Sequence, residues 1–201
     1  MTLALPSAPA PAPRRQLFVA TALVVSGAAM LMAGMLGMWM RFRAGAPLRT
    51  SADGLEQIKD WLPAAIKVPE VAANTMVITF PFAALMTQWA VYATKRRDGQ
   101  HRSLALLITI GLGIAIVNAQ LAIYAQMGIG ISDGAYQSMF YAITGTMLLL
   151  VIGGIVFSAV AFFRSVGGRN DDSHVISAHA LYWYFLTVAF TAVWFFVYVQ
   201  K

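Results

Sequence analysis

Residues 135–163 read AYQSMFYAITGTMLLLVIGGIVFSAVAFF, a stretch without Asp, Glu, Lys or Arg. A helix rises about 1.5 Å per residue, so about 20 apolar residues cross the roughly 30 Å of hydrocarbon in a bilayer. This run exceeds that length and requires tilt or an extra turn outside the membrane. Working outward, residues 17–40, 71–94, 103–127 and 178–199 are also free of those four residue types and long enough to span. Backbone polar groups in lipid must be satisfied within each segment, so the five runs read as helices. The composition agrees: 59% of the 201 residues are hydrophobic and 11% charged, against about 45–50% and about 25% in soluble domains. Mean hydropathy is +0.69. That much apolar surface cannot be hidden inside one water-soluble globule of this size. The sequence predicts an all-α polytopic membrane protein, a bundle of five transmembrane helices over residues 16–201. Residues 1–15 form an Ala/Pro-rich N-terminal tail expected to be disordered.

An odd number of spans places the two ends on opposite sides. Arg14, Arg15, Lys95, Arg96, Arg97, Arg102, Arg164 and Arg169 lie on the N-terminal side, eight basic residues against six on the other. That bias, with Lys95, Arg96 and Arg97 as lipid head-group anchors directly after the second span, predicts a cytoplasmic N-terminus. The net charge of +6 therefore reads as membrane anchoring and not as a nucleic-acid surface. In the long first loop, Leu55, Ile58, Trp61 and Leu62 recur at helical spacing, which predicts a short interfacial helix. The other loops are short, so neighbouring helices should pack antiparallel.

No ionisable side chain falls at mid-span, where such groups mark ion paths and relays. The eight acidic residues lie in loops, and His101, His174 and His179 lie in loops or at a helix end. There is no cysteine. Haem ligation, thiolate metal sites and proton carriage thus lack the residues they require, and no active site is expected within this chain. Thr75, Thr79, Thr87 and Gln88 on the second span, with Asn118, Gln120 and Gln126 on the third, read first as interhelical hydrogen-bonding groups. Met30, Met32, Met35, Met38 and Met40 crowd the first span. Thioethers bind Cu(I), so copper carriage is one reading; flexible apolar packing is the commoner one. Ala29, Ala33 and Gly37 repeat every four residues, and Gly145 and Gly153 share a face, which marks candidate helix contacts. Trp89, Trp183, Trp194 and Tyr198 fall toward span ends, where rings favour the head-group layer.

Ile131-Ser132-Asp133-Gly134, followed by Tyr136, Ser138 and Phe140, resembles the loop and helix start before the penultimate span of haem-copper oxidase subunit III, the third core subunit of cytochrome c oxidase. Without a gap, Gln120 and Tyr124 fall where that family has a glutamine and a tyrosine around a glutamate. Ala142, Thr144, Gly145, Val151, Ile152 and Gly153 match its next helix in part. Tyr182, Trp183, Tyr184 and Phe185 are similar to the aromatic start of its last helix. Five spans fit its short bacterial form. The family's interior ionisable positions are neutral here, at Gly27 or Ala28, Ile123, Met147, Leu150, Tyr184 and Thr187.

The resemblance implies an accessory, non-catalytic subunit of a respiratory haem-copper terminal oxidase in a bacterial cell membrane, acting in aerobic electron transport. It implies packing beside the catalytic subunit I, with subunit II as a further partner and phospholipids organised around it. Haem and copper would sit in the partner subunits, with no cofactor or metal in this chain. A nitric oxide reductase accessory subunit of the same family is the near alternative. A small membrane transporter or copper carrier is the distant one, and it predicts a continuous polar cavity lined by Asn118, Gln120, Gln126 and the first-span methionines.

Overall fold

The stretch 135–163 forms most of a single helix, α4 (Ala135–Val166). The structure is a computed structural model and describes residues 16–51, 54, 56–63, 66–168 and 173–200. The element order is α1 (Gln16–Gly45), β1 (Leu48–Thr50), β2 (Gln57–Lys59), α2 (Glu70–Lys95), α3 (Gly99–Met127), α4, and α5 (Ser173–Val193). A π-helical turn over Trp194–Val199 continues α5. Among the described residues, five helices are long and apolar enough to cross a membrane. The residues of the N-terminal tail, and Leu55 in the first loop, lie outside the described residues.

The helices extend beyond the uncharged runs: α1 continues past residue 40 to Gly45, α3 begins at Gly99, and α5 begins at Ser173. An uncharged run measures the hydrocarbon layer, whereas Arg41, His101 and Ser177 can continue a helix in the polar head-group zone. The first loop holds a two-stranded antiparallel hairpin and not an interfacial helix, pairing Leu48 with Lys59, Arg49 with Ile58, and Thr50 with Gln57. Gly54, at φ 70°, supplies the left-handed turn residue between the strands. Arg49 fixes the far side by donating to Asp60 Oδ1 at 2.9 Å and to the Leu62 carbonyl at 3.1 Å.

α2, α3, α4 and α5 form a ring in which α3 packs on α2 and α4, and α5 on α2 and α4; α1 lies outside it, against α5 and α4. Lipid tails are as apolar as the core, so close van der Waals fit and interhelical hydrogen bonds hold such a bundle. The fit is visible at Phe80 and Phe190, stacked at 4.5 Å. It is also visible where α3 backbone meets α4 at Gly113: a Cβ there would stand 2.7 Å from Ile155 Cγ1. Outward-facing Leu23, Val71, Leu149 and Val188 remain exposed, as a lipid-facing surface requires. Pro81 sits inside α2, where the ring removes one backbone donor.

Candidate functional site

The interior polar groups fall into two layers along the bundle. In one, α3 supplies Gln120 and Tyr124, α4 supplies Thr144, and the π-helical turn supplies Tyr198. Gln120 and Tyr198 are buried, and Tyr198 Oη donates to Gln120 Oε1 at 3.1 Å. Tyr124 Oη lies 2.8 Å from Thr144 Oγ1, which also donates to the Phe140 carbonyl at 2.6 Å. The wide turn ends on Gln200 N–H donating to the Phe195 carbonyl, and it presents Val197 and Tyr198 inward. Tyr198 therefore does not float in the head-group layer; it ties α5 to α3.

The second layer corrects the reading of His179 as a helix-end residue. Because α5 starts early, His179 is almost two turns inside it and fully buried. Its Nε2 lies 2.7 Å from Ser158 Oγ of α4, and Trp183 Nε1 donates to the same oxygen at 3.0 Å. Trp183 is likewise a core residue and not a head-group anchor. Sequence reasoning missed Ser158: it is one hydroxyl in an apolar run, and nothing in the spacing links it to His179. Arg102, buried at the start of α3, was read only as a loop charge; its Nε donates to Ser165 Oγ at 2.7 Å.

The loop before α4 is built from its own side chains. Asp133 Oδ2 accepts the Gly130 N–H at 2.6 Å, and Ser138 Oγ donates to the Ile131 carbonyl at 2.7 Å. Ser132 is exposed, and Gly134 is extended at φ 163°, with Gln137 Oε1 2.8 Å from where a Cβ would stand. Tyr136, buried, joins an aromatic cluster with Trp39 of α1 at 5.3 Å and Trp61 of the first loop at 5.7 Å. Trp39 Nε1 donates to the Phe196 carbonyl at 3.1 Å. The motif loop, the first loop, the C-terminal part of α1 and the turn that continues α5 are joined at this end of the bundle.

At the opposite end, Lys95, Arg96 and Arg97 are all exposed, with the Arg96 guanidinium 4.5 Å from the Tyr92 ring centre. Asp98 caps α3: its Oδ1 accepts the His101 N–H at 3.1 Å, and its Oδ2 lies 2.6 Å from His101 Nδ1. The backbone N–H of His101 holds the Asp98 carboxyl below the ordinary carboxylate range.

Ala29, Ala33 and Gly37 are exposed, and α1 is fixed to its own chain through Met32, Leu36 and Trp39 instead. Ala29 and Ala33 edge a groove between α1 and α5 that Phe185 closes on the other side. Gly145 has open space around it, and Gly153 faces Tyr182 Oη at 3.1 Å. The tightest described approaches on α3 and α4 are at Gly113 and Gly154; Gly113 ends a small-residue repeat with Ala105 and Thr109 that the sequence reading did not single out. Tyr182 Oη donates to the Leu150 carbonyl at 2.9 Å. Thr75, Thr79 and Thr87 bond back to their own helix and not across to others, as short β-hydroxyls do in helices. Cross-helix bonds of α2 are made by Gln88, which accepts from Tyr184, by Asn74, which accepts from Trp194, and by the Phe80 carbonyl, which accepts from Thr187 Oγ1 at 3.2 Å. Asn118 and Gln126 face outward while Gln120 faces inward, so these three do not line one cavity. Met30, Met35 and Met38 line an open apolar groove with Met139, and no group of three His, Cys, Asp or Glu converges among the described residues.

Comparison with known proteins matches residues 52–201 to the family model described as Cytochrome c oxidase subunit III. A cytochrome c oxidase subunit 3 of Tragelaphus imberbis is 40% identical over 114 residues, 56% of this chain and 42% of the relative. The subunit 3 of Bos taurus is 38% identical over 114 residues, with the same coverage. The chain thus spans less than half the length of the curated relatives it matches.

Proposed function

The chain belongs to the cytochrome c oxidase subunit III family, and from that premise we propose that it is an accessory, non-catalytic subunit of a respiratory haem-copper terminal oxidase. It packs beside the catalytic subunit I, with subunit II in the same complex, in a bacterial cell membrane with its N-terminus cytoplasmic. It stabilises the catalytic subunit and organises phospholipid. Haem and copper belong to those partners, and this chain holds neither. The family match over three quarters of the chain carries the reading. The uncharged spans support a scaffolding role, since the buried polar side chains among the described residues are amides, hydroxyls, His179 and, at one end, Arg102, with no carboxylate.

The test is purification of the tagged chain from native membranes in mild detergent, with mass spectrometry and a reduced-minus-oxidised visible spectrum. The expected result is a larger subunit bearing oxygen-reactive haem and copper, and oxygen uptake by the complex. A chain that elutes alone would overturn the proposal. A complex that reduces nitric oxide and not oxygen would assign it to the other accessory role.

A further inference from the structure

Between α2, α3, α4 and α5, a small cavity of about 10 Å³ is lined by buried residues, Met76, Phe80, Ile116, Met147 and Phe190 together with two polar ones, Gln120 and Thr144. Gln120 is only 4% exposed, and its Nε2 is buried without a hydrogen-bond partner. Its Oε1 is occupied by Tyr198. Turning the amide over does not help, because Tyr198 can engage either end and the other end still faces the cavity unpaired. Thr144 offers the matching acceptor. Its single hydrogen goes to the Phe140 carbonyl, so Tyr124 donates to it, and a hydroxyl oxygen has two lone pairs. One lone pair is left over. Tyr124, one turn along α3 from Gln120, spends its hydrogen on Thr144; its oxygen keeps acceptor capacity, but no hydrogen bond from Gln120 Nε2 reaches it.

An orphaned amide N–H in an apolar interior costs about 1–3 kcal/mol. A volume of about 10–15 Å³ with two or more polar partners is what one water molecule needs. We infer that this cavity is a binding site for a single buried water, which accepts from Gln120 Nε2 and donates to Thr144 Oγ1. The water closes a chain running Tyr198, Gln120, water, Thr144, Tyr124, which joins α5, α3 and α4 at the level of the bundle's apolar core. It is a neutral joint, with no carboxylate or imidazole in the chain of contacts.

Radiolytic labelling tests this on the full chain in mild detergent, because X-ray pulses turn a bound water into hydroxyl radical that oxidises its immediate neighbours. Met76 and Met147 flank the cavity and are 1% and 3% exposed; Met32, at 3%, is an equally buried methionine elsewhere. The expected result is several-fold faster oxidation of Met76 and Met147 than of Met32, falling to the Met32 rate in Gln120→Leu. Equal rates for all three methionines in the unaltered protein overturn the site, and that comparison holds even where the variant fails to fold. A fast rate that persists in a folded Gln120→Leu protein removes Gln120 from it.

Discussion

Ser158 is the residue on which the second polar layer turns, since its hydroxyl oxygen serves both His179 and Trp183. Ser158→Ala leaves two buried ring nitrogens unpaired, and the expected loss is about 1–3 kcal/mol, read as a lowered thermal unfolding midpoint in detergent. The glycines separate more cleanly. Gly113→Ala and Gly154→Ala drive a methyl into Ile155 or Leu186 and should each cost about 1–3 kcal/mol, whereas Gly145→Ala enters open space and should stabilise by up to about 1 kcal/mol. Equal responses at Gly113 and Gly145 would contradict the packing described. Asp98 carries a pH signature. Its carboxyl titrates lower in the folded protein than in the unfolded one, so its contribution is complete above the unfolded value near about pH 4 and fades as pH falls through the folded value. Protection of the amides at the start of α3, taken relative to the intrinsic exchange rate at each pH, should therefore fall on acidification below about pH 4 in the natural protein, and Asp98→Asn should remove that dependence.

At the level of elements, the hairpin is held to the bundle chiefly by one side chain. Trp61 meets Trp39 edge-on at 5.0 Å and Tyr136 at 5.7 Å. Trp61→Ala should cost about 3 kcal/mol and open the first loop to protease while the helices stay intact, as limited proteolysis with mass spectrometry would show. The helices were legible from the sequence because the bilayer imposes one requirement on every residue of a span, and an uncharged run records it directly. The hairpin was not. Ile58 and Trp61 fit a helical repeat as well as a strand followed by a turn, and docking onto Trp39, distant in the chain, decides between them. The same reason hid the second polar layer: Ser158 and His179 acquire meaning only once α4 and α5 are in contact. The motif loop at 131–134 was legible because Asp133 and Ser138 act on backbone only a few residues away.

Taken whole, the molecule is a closed ring of four helices with a fifth laid against its outside. Most of the interior hydroxyls pair within the bundle, while Gln120 Nε2, Tyr136 Oη and His179 Nδ1 are buried without a hydrogen-bond partner. Purified alone in detergent, the folded chain should show no Soret band and bind no copper; either signal would displace the proposed scaffolding role. The arrangement of contacts also has a bearing on biogenesis. α5 touches α1, α2 and α4, yet the ribosome delivers it after all of them. The earlier segments are therefore inserted before the helix that joins them, so a message truncated before Ser173 should yield a product that membrane proteases clear faster than the full chain.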